Sequence, residues 1–250
     1  MKIAPRTVLA LFCSISFYTY AQNQDSLQQV AYDQALQKLK ENNLPAAGMQ
    51  FTQLINSGFK NKEVYVKRGI ILYQQGEFDK ARNDFDEAVR GRVNTSELFE
   101  YRGNAKYKLD DFTGASADLE KAVGMGAKGF ETFLNLGNAK FRLENYKEAI
   151  SNYDKAFAAG KPDALLYNNR GKAKFNLNDY NSALPDFDKA LELKPDYDKA
   201  LENRAETRFK LSDWKGAATD FEKIVAAGKT DTDVYQKLGT AKFNLNDSRG

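Results

Sequence analysis

Residues 164–197 read ALLYNNRGKAKFNLNDYNSALPDFDKALELKPDY, and this stretch decides the fold. Two apolar stretches of helical period flank a polar break at Asn178-Asp179, and Pro195 stops the second. The stretch is one copy of a repeat. Gly171 belongs to a series of small residues spaced by 34: Ala35, Gly69, Gly103, Gly137, Gly171, Ala205 and Gly239. Twelve residues behind it run Ala47, Ala81, Ala115, Ala149, Ala183 and Ala217. Four further on stand Phe51, Phe85, Leu119, Tyr153, Phe187 and Phe221. Self-similarity at such a period means a stacked array, in which a helix pair cannot bury its apolar face alone and shares a core with its neighbours.

The breaks inside the repeats are Gly76-Glu77, Asp110-Asp111, Glu144-Asn145, Asn178-Asp179 and Ser212-Asp213. An Asp or Asn ending a break is predicted to cap the second helix, because its side chain can accept a free amide of the first turn. Asn145 with Glu148 has the spacing of a capping box. Between repeats, Gly91, Gly124, Gly126, Gly160, Pro195 and Gly228 are stop signals. The small residues are expected where two antiparallel helices approach closely. Phe78, Phe112, Tyr146, Tyr180 and Trp214 open each second helix and are expected to fill the groove to the next pair.

Through Tyr167, Gly171, Ala183, Phe187, Ala190 and Pro195, at positions 4, 8, 20, 24, 27 and 32 of the unit, the chain resembles the tetratricopeptide repeat family. The departures are local. Ala31 stands at position 4 of the first repeat, Pro at position 32 survives only as Pro195, and position 11 is Lys106, Lys140, Lys174 and Lys242. The aromatic common at position 11 sits one place later. The resemblance implies an all-α, right-handed solenoid of antiparallel helix pairs. Six repeats would cover 28–231, with a partial seventh repeat or capping helix at 232–250.

The resemblance also implies a groove lined by first helices at positions 2, 5, 6, 9, 12 and 13. Those positions hold Asn104, Asn135, Asn138, Asn168, Asn169 and Asn203. A carboxamide donates and accepts, so such a ladder suits the backbone of an extended peptide or protein partner. Position 12 carries Tyr73, Tyr107, Phe141, Phe175, Phe209 and Phe243. Aromatics serve as interface anchors, and the same spacing serves packing between neighbouring first helices. Position 5 runs Val66, Glu100, Leu134, Asn168, Glu202 and Gln236, so no paired cations await a terminal carboxylate.

The sequence has no histidine, and its one cysteine, Cys13, lies in the first 21 residues. Common zinc and copper sites and triads based on His are therefore excluded, and no metal or cofactor is expected. Adjacent carboxylates such as Asp110 and Asp111 read as helix caps and solvated faces, and the chain is not expected to be an enzyme. Gly124-Met125-Gly126 with Lys128 lacks the full spacing of a phosphate loop and falls at a repeat junction.

Lys2 and Arg6, the apolar run from Val8 to Phe17 and Thr19-Tyr20-Ala21 read as a signal peptide over 1–21, followed by a short leader at 22–27. A lipid anchor on Cys13 is disfavoured by Phe12 before it, where lipoprotein signals carry a small residue. Loss of Lys2 and Arg6 leaves 35 basic against 34 acidic groups, a balance that does not favour nucleic acid. Residues 239–247 copy 171–179 in all but one residue, yet only Ser248-Arg249-Gly250 follow. Either a lone helix caps the array or the natural chain continues, and the retained loop sequence favours continuation. The expected function is a non-catalytic, exported scaffold of the cell envelope that binds a peptide or protein. The alternatives are the recognition arm of a larger enzyme or peptidoglycan-anchored protein, and a self-assembling structural protein.

Overall fold

The computed structural model describes the backbone of residues 5–160, 162–228 and 231–247, with side chains from Gln22 to Leu245. The proposed signal, with Cys13, lies outside the described side chains. The described residues form thirteen helices and no strand, in two compact units that divide between Leu109 and Asp110. The first unit holds α1 (Pro5–Lys40), α2 (Leu44–Asn56), α3 (Glu63–Gln74), α4 (Phe78–Arg90) and α5 (Ser96–Lys108). The second holds α6 (Phe112–Gly124), α7 (Phe130–Arg142), α8 (Tyr146–Ala159), α9 (Ala164–Asn176), α10 (Tyr180–Leu193), α11 (Asp198–Lys210), α12 (Trp214–Ala226) and α13 (Thr232–Asp247). Within each unit consecutive helices pack on one another, which is the all-α repeat architecture expected from the 34-residue period.

The core of each pair is built at three positions. The ring or branched chain four residues after the recurring alanine is fully buried at Phe51, Phe85, Leu119 and Phe187, and nearly so at Tyr153 and Phe221. It lies against the small residue of the first helix. A methyl group added at Gly69, Gly137 or Gly171 would stand 2.7, 2.6 or 2.8 Å from the ring of Phe85, Tyr153 or Phe187. The close approach is therefore between helix backbone and ring within one repeat.

The break between paired helices turns on one backbone angle. Its first residue is left-handed in every described repeat, with φ of 58° at Asn42, 80° at Gly76, 59° at Asp110, 61° at Glu144, 61° at Asn178 and 58° at Ser212. Glycine adopts this region without steric cost, so the other five rest on tertiary packing. Asp111, Asp179 and Asp213 then cap the second helix through the amides of Gly114, Ser182 and Gly216 at 2.9, 3.2 and 3.0 Å. The capping box expected at Asn145 does not form. Its side chain makes no cap bond, and the Glu148 carboxylate lies 2.6 Å from Lys140 Nζ instead.

Of the aromatics that open the second helices, Phe78, Tyr146, Tyr180 and Trp214 meet the position-12 ring of their own repeat, and the Phe112 ring faces the next first helix, with the Arg142 guanidinium 4.1 Å from its centroid. Centroids are 5.3 Å apart for Tyr73–Phe78, 5.4 Å for Phe141–Tyr146, 5.1 Å for Phe175–Tyr180 and 5.4 Å for Phe209–Trp214. The last three meet edge to face, the arrangement that the ring quadrupole favours.

Pro185 lies inside α10, where it removes a backbone donor from the helix ladder. Its side chain is exposed, and Ala117 holds the same place in α6. Pro185→Ala should raise the stability of the chain by about 2 kcal/mol. A thermal or urea midpoint that does not rise would show that α10 bends at this point to relieve the clash.

Candidate functional site

In the second unit the first helices of successive pairs, α7, α9 and α11, lie side by side. The sequence places an asparagine on each at the junction. Their carboxamides form one hydrogen-bonded chain. Asn203 Nδ2 donates to Asn168 Oδ1 at 2.9 Å, Asn168 Nδ2 to Asn169 Oδ1 at 3.5 Å, and Asn169 Nδ2 to Asn138 Oδ1 at 3.0 Å. Tyr153 Oη donates to the same Asn138 oxygen at 2.9 Å from α8. Each carboxamide has two donors and two lone pairs. The Asn138 oxygen is filled by its two donors, while Asn169 and Asn203 are oriented and each keep a second N–H and acceptor capacity.

The six asparagines singled out in the sequence are not equivalent. Asn138, Asn169 and Asn203 are half-buried and belong to the chain, and Asn135 is half-buried beside it on α7. Asn168 is a buried link, and Asn104 is buried in the first unit. Tyr73, Tyr107, Phe141, Phe175 and Phe209 are all half-buried. The Lys172 ammonium lies 5.4 Å from the Phe141 ring centroid, so part of that ring carries a cation from the next first helix. Beside Asn203, a cleft of about 470 Å³ opens between α11 and α13, with Glu202, Glu206, Asp233 and Lys237 on its walls. Lys237 spans it, 2.7 Å from Glu206 and 2.8 Å from Asp233.

A second ladder holds this face in place. Arg170 Nε and Nη2 donate to Asp186 at 3.0 and 2.6 Å, while Nη1 reaches Asp154 of the preceding pair at 2.7 Å. Arg204 repeats the pattern with Asp220 at 2.9 and 2.8 Å and with Asp188 at 2.9 Å. In the first unit Arg68 forks onto Asp84 at 2.7 Å through both nitrogens, and Arg102 reaches Asp86 at 3.1 Å. Such two-pronged guanidinium–carboxylate pairs fix geometry as well as charge. Arg170 and Arg204 thus each clamp their own helix pair and, through the third arm, the previous one. Burial pulls the Arg170 and Arg204 guanidiniums down, but their aspartates outweigh it and hold both above the usual arginine value.

Repeats one and four replace both members together, with Gln34 and Gln50 in the first and Leu136 and Asn152 in the fourth, where repeats two, three, five and six have Arg and Asp. In repeat one Gln50 Nε2 donates to Gln34 Oε1 at 3.3 Å. Repeat four is bridged differently. There Lys140 carries the cross-links instead, 2.6 Å from Glu120 of the preceding pair and 2.6 Å from Glu148. The Arg–Asp spacing of 16 residues was available in the sequence as a recurrence at 68, 102, 170 and 204 against 84, 118, 186 and 220. It is invisible to helical periodicity because it joins two different helices.

These features define a class: helix-pair repeats with a small residue, an alanine and a buried ring at fixed places. Models of the tetratricopeptide repeat match residues 62–90, 101–164 and 164–197, together about half of the chain. The chain belongs to the tetratricopeptide repeat family, whose members bind protein or peptide partners. Among solved structures it resembles YrrB, described as a TPR protein with an unusual peptide-binding site, with 21% identity and a TM-score of 0.66 over 77% of this chain and 97% of that one. It also resembles the C-terminal part of a repeat protein from Cytophaga hutchinsonii, with 24% identity, a TM-score of 0.59 and 84% of each chain covered. The MamA protein of strain AMB-1 aligns with 20% identity and a TM-score of 0.61, over 67% of this chain and 98% of that one. No curated protein matches in sequence. At these identities the likenesses concern the fold.

Proposed function

We propose that the chain is an exported, non-catalytic scaffold that holds an extended segment of a protein partner along the first-helix face of its second unit. One observation carries this reading: the oriented carboxamide chain from Asn203 to Asn138, which crosses three first helices and has donors and acceptors to spare. Main-chain amides and carbonyls of an extended peptide match such groups whatever its side chains. The cleft beside Asn203 supplies depth at one end. The family's role in protein interaction supports the same reading. Export rests on the basic and apolar N-terminus, and the mature protein should begin at Gln22. Among the described residues no helix is long and apolar enough to cross a membrane.

The test is recovery of partners from an envelope extract by the immobilised chain. Each lost hydrogen bond is worth about 0.5–1.5 kcal/mol, so single alanine variants at Asn138, Asn169 or Asn203 should weaken capture only several-fold. The triple variant should lose the partner, and Lys189→Glu, on the second-helix side, should keep it. A triple variant that melts like wild type and captures the same partner equally would sink the reading. N-terminal sequencing of the exported protein checks the cleavage site.

A further inference from the structure

Repeat four interrupts the arginine ladder. Leu136 stands where the next two repeats have Arg170 and Arg204, and Asn152 stands where they have Asp186 and Asp220. A cavity of about 250 Å³ opens there. Val123 of α6, Leu136 of α7 and Asn152 of α8 line it, together with Glu120, Glu148 and Lys155. All of these lie within the second unit, and none belongs to the asparagine chain.

The cavity has an acceptor without a donor. Asn152 is 7% exposed, and its Nδ2 donates to the Glu148 carbonyl at 2.9 Å. That bond fixes which end of the carboxamide is the oxygen. Among the described residues nothing donates to Asn152 Oδ1. A buried acceptor is costly to leave unpaired. Repeat one, which has lost the same Arg and Asp, closes the gap with the bond from Gln50 to Gln34. Leu136 has no polar side-chain atom to offer Asn152.

The neighbouring repeats show which group fits. Arg170 sends two nitrogens to Asp186 and one to Asp154, and Arg204 sends two to Asp220 and one to Asp188. In the 34-residue register Asn152 corresponds to Asp186 and Asp220, and Glu120 to Asp154 and Asp188. Repeat four thus keeps acceptors for a guanidinium without the arginine that would supply one. We propose that this cavity receives an arginine side chain that enters from solvent. The methylenes of that side chain lie on Val123 and Leu136, and its planar fork donates to Asn152 Oδ1 and Glu120. Glu148 adds an acceptor where repeats five and six have Ser182 and Gly216.

Two cations already stand nearby. Lys140 Nζ lies 2.6 Å from both Glu120 and Glu148, one contact to each carboxylate. Asp186 accepts twice from Arg170 and once from Lys174, so one carboxylate can serve both kinds of cation. Lys155 has counterparts Lys189 and Lys223 in the two repeats that hold their own arginine. Its ammonium lies 5.8 Å from the Phe133 ring centroid.

The test titrates the whole chain with N-acetyl-argininamide and reads NMR shifts of the α6 and α8 backbone amides. The shifts should saturate, with half-saturation at about 1 mM. N-acetyl-lysinamide should bind roughly tenfold more weakly, because an ammonium cannot fork. Asn152→Leu should weaken argininamide binding roughly tenfold, by removing the buried acceptor. The double change Leu136→Arg with Asn152→Asp copies repeat five and supplies the guanidinium from within. It should abolish binding and keep the wild-type circular dichroism. No saturable shift up to about 10 mM would overturn the proposal and leave Asn152 to water. Equal binding by the lysine probe would overturn the guanidinium assignment. Unchanged binding by the folded double variant would place the probe elsewhere. If that variant loses helicity, Asn152→Leu decides, and wild-type affinity there overturns the proposal. Molar mass in solution separates the sources of the arginine. Self-association that the double variant loses would support the cavity with a second copy as donor. A wild-type chain that binds the probe yet stays monomeric would support it with a donor other than a second copy.

Discussion

Asp220→Ala is expected to lower stability by about 3–5 kcal/mol, the usual cost of removing one partner from a buried ion pair. Asp220 is fully buried. It accepts two hydrogen bonds from Arg204 and a third from Arg208 at 2.8 Å. Alanine leaves two guanidinium groups, 15% and 20% exposed at their side chains, with Asp188 shared between them and Asp213 3.7 Å from Arg208. The cost comes from stranded charge rather than from the worth of the pair. The double change Arg204→Leu with Asp220→Asn, which copies Leu136 and Asn152 of repeat four, should therefore lose less than Asp220→Ala alone. Coupling between the two sites should reach about 1–3 kcal/mol, as for residues in one network. Urea unfolding of the two single variants and the double decides it. A loss below 1 kcal/mol for Asp220→Ala would mean that the arginines find solvent or Asp188 without strain.

The parts of the fold legible in the sequence are those fixed by sterics at one position. A glycine or alanine every 34 residues, an alanine twelve further on and a ring four beyond that each answer a single local demand for space. The parts that were not legible depend on which of several partners wins. Glu148 could cap Asn145 or pair with Lys140, and the lysine prevails because it also holds Glu120 across the helix pair. The left-handed residue of each break was signalled by Gly76 and more weakly by Asn42, Asp110 and Asn178, whereas Glu144 and Ser212 occupy that conformation against their own preference. The asparagines were visible as a ladder. Their bonding to one another was not, because a carboxamide's partner depends on the spacing of α7, α9 and α11. Nor did the sequence separate the buried Asn104 and Asn168 from the half-buried Asn138, Asn169 and Asn203, although all share groove positions in the repeat.

Gly171→Leu should be a strongly damaging enlargement in the second unit. Overpacking a filled core costs about 1–3 kcal/mol, and this site should reach the upper end. The first carbon of any side chain here would stand 2.8 Å from the Phe187 ring. That ring is fully buried, as are Ala173, Ala183 and Ala190 around the same helix pair, so it has no vacant space to enter. The helices must separate instead, and separation strains the Asp186 contacts to Arg170 and Lys174 that join α9 to α10. Gly171→Ala should fall between wild type and leucine, because a ring edge can shift a few tenths of an ångström more easily than a backbone can. The control lies in the same chain. Gly239 has the same place in α13 and the same neighbours in sequence, and leucine there should cost nothing, since no ring faces it. Higher helix propensity should even raise the midpoint slightly. Thermal and urea melts of the three variants read the contrast directly. Equal midpoints for Gly171→Leu and Gly239→Leu would show that the small residue is not selected by the ring opposite it, and the steric basis of the 34-residue series would have to be sought elsewhere.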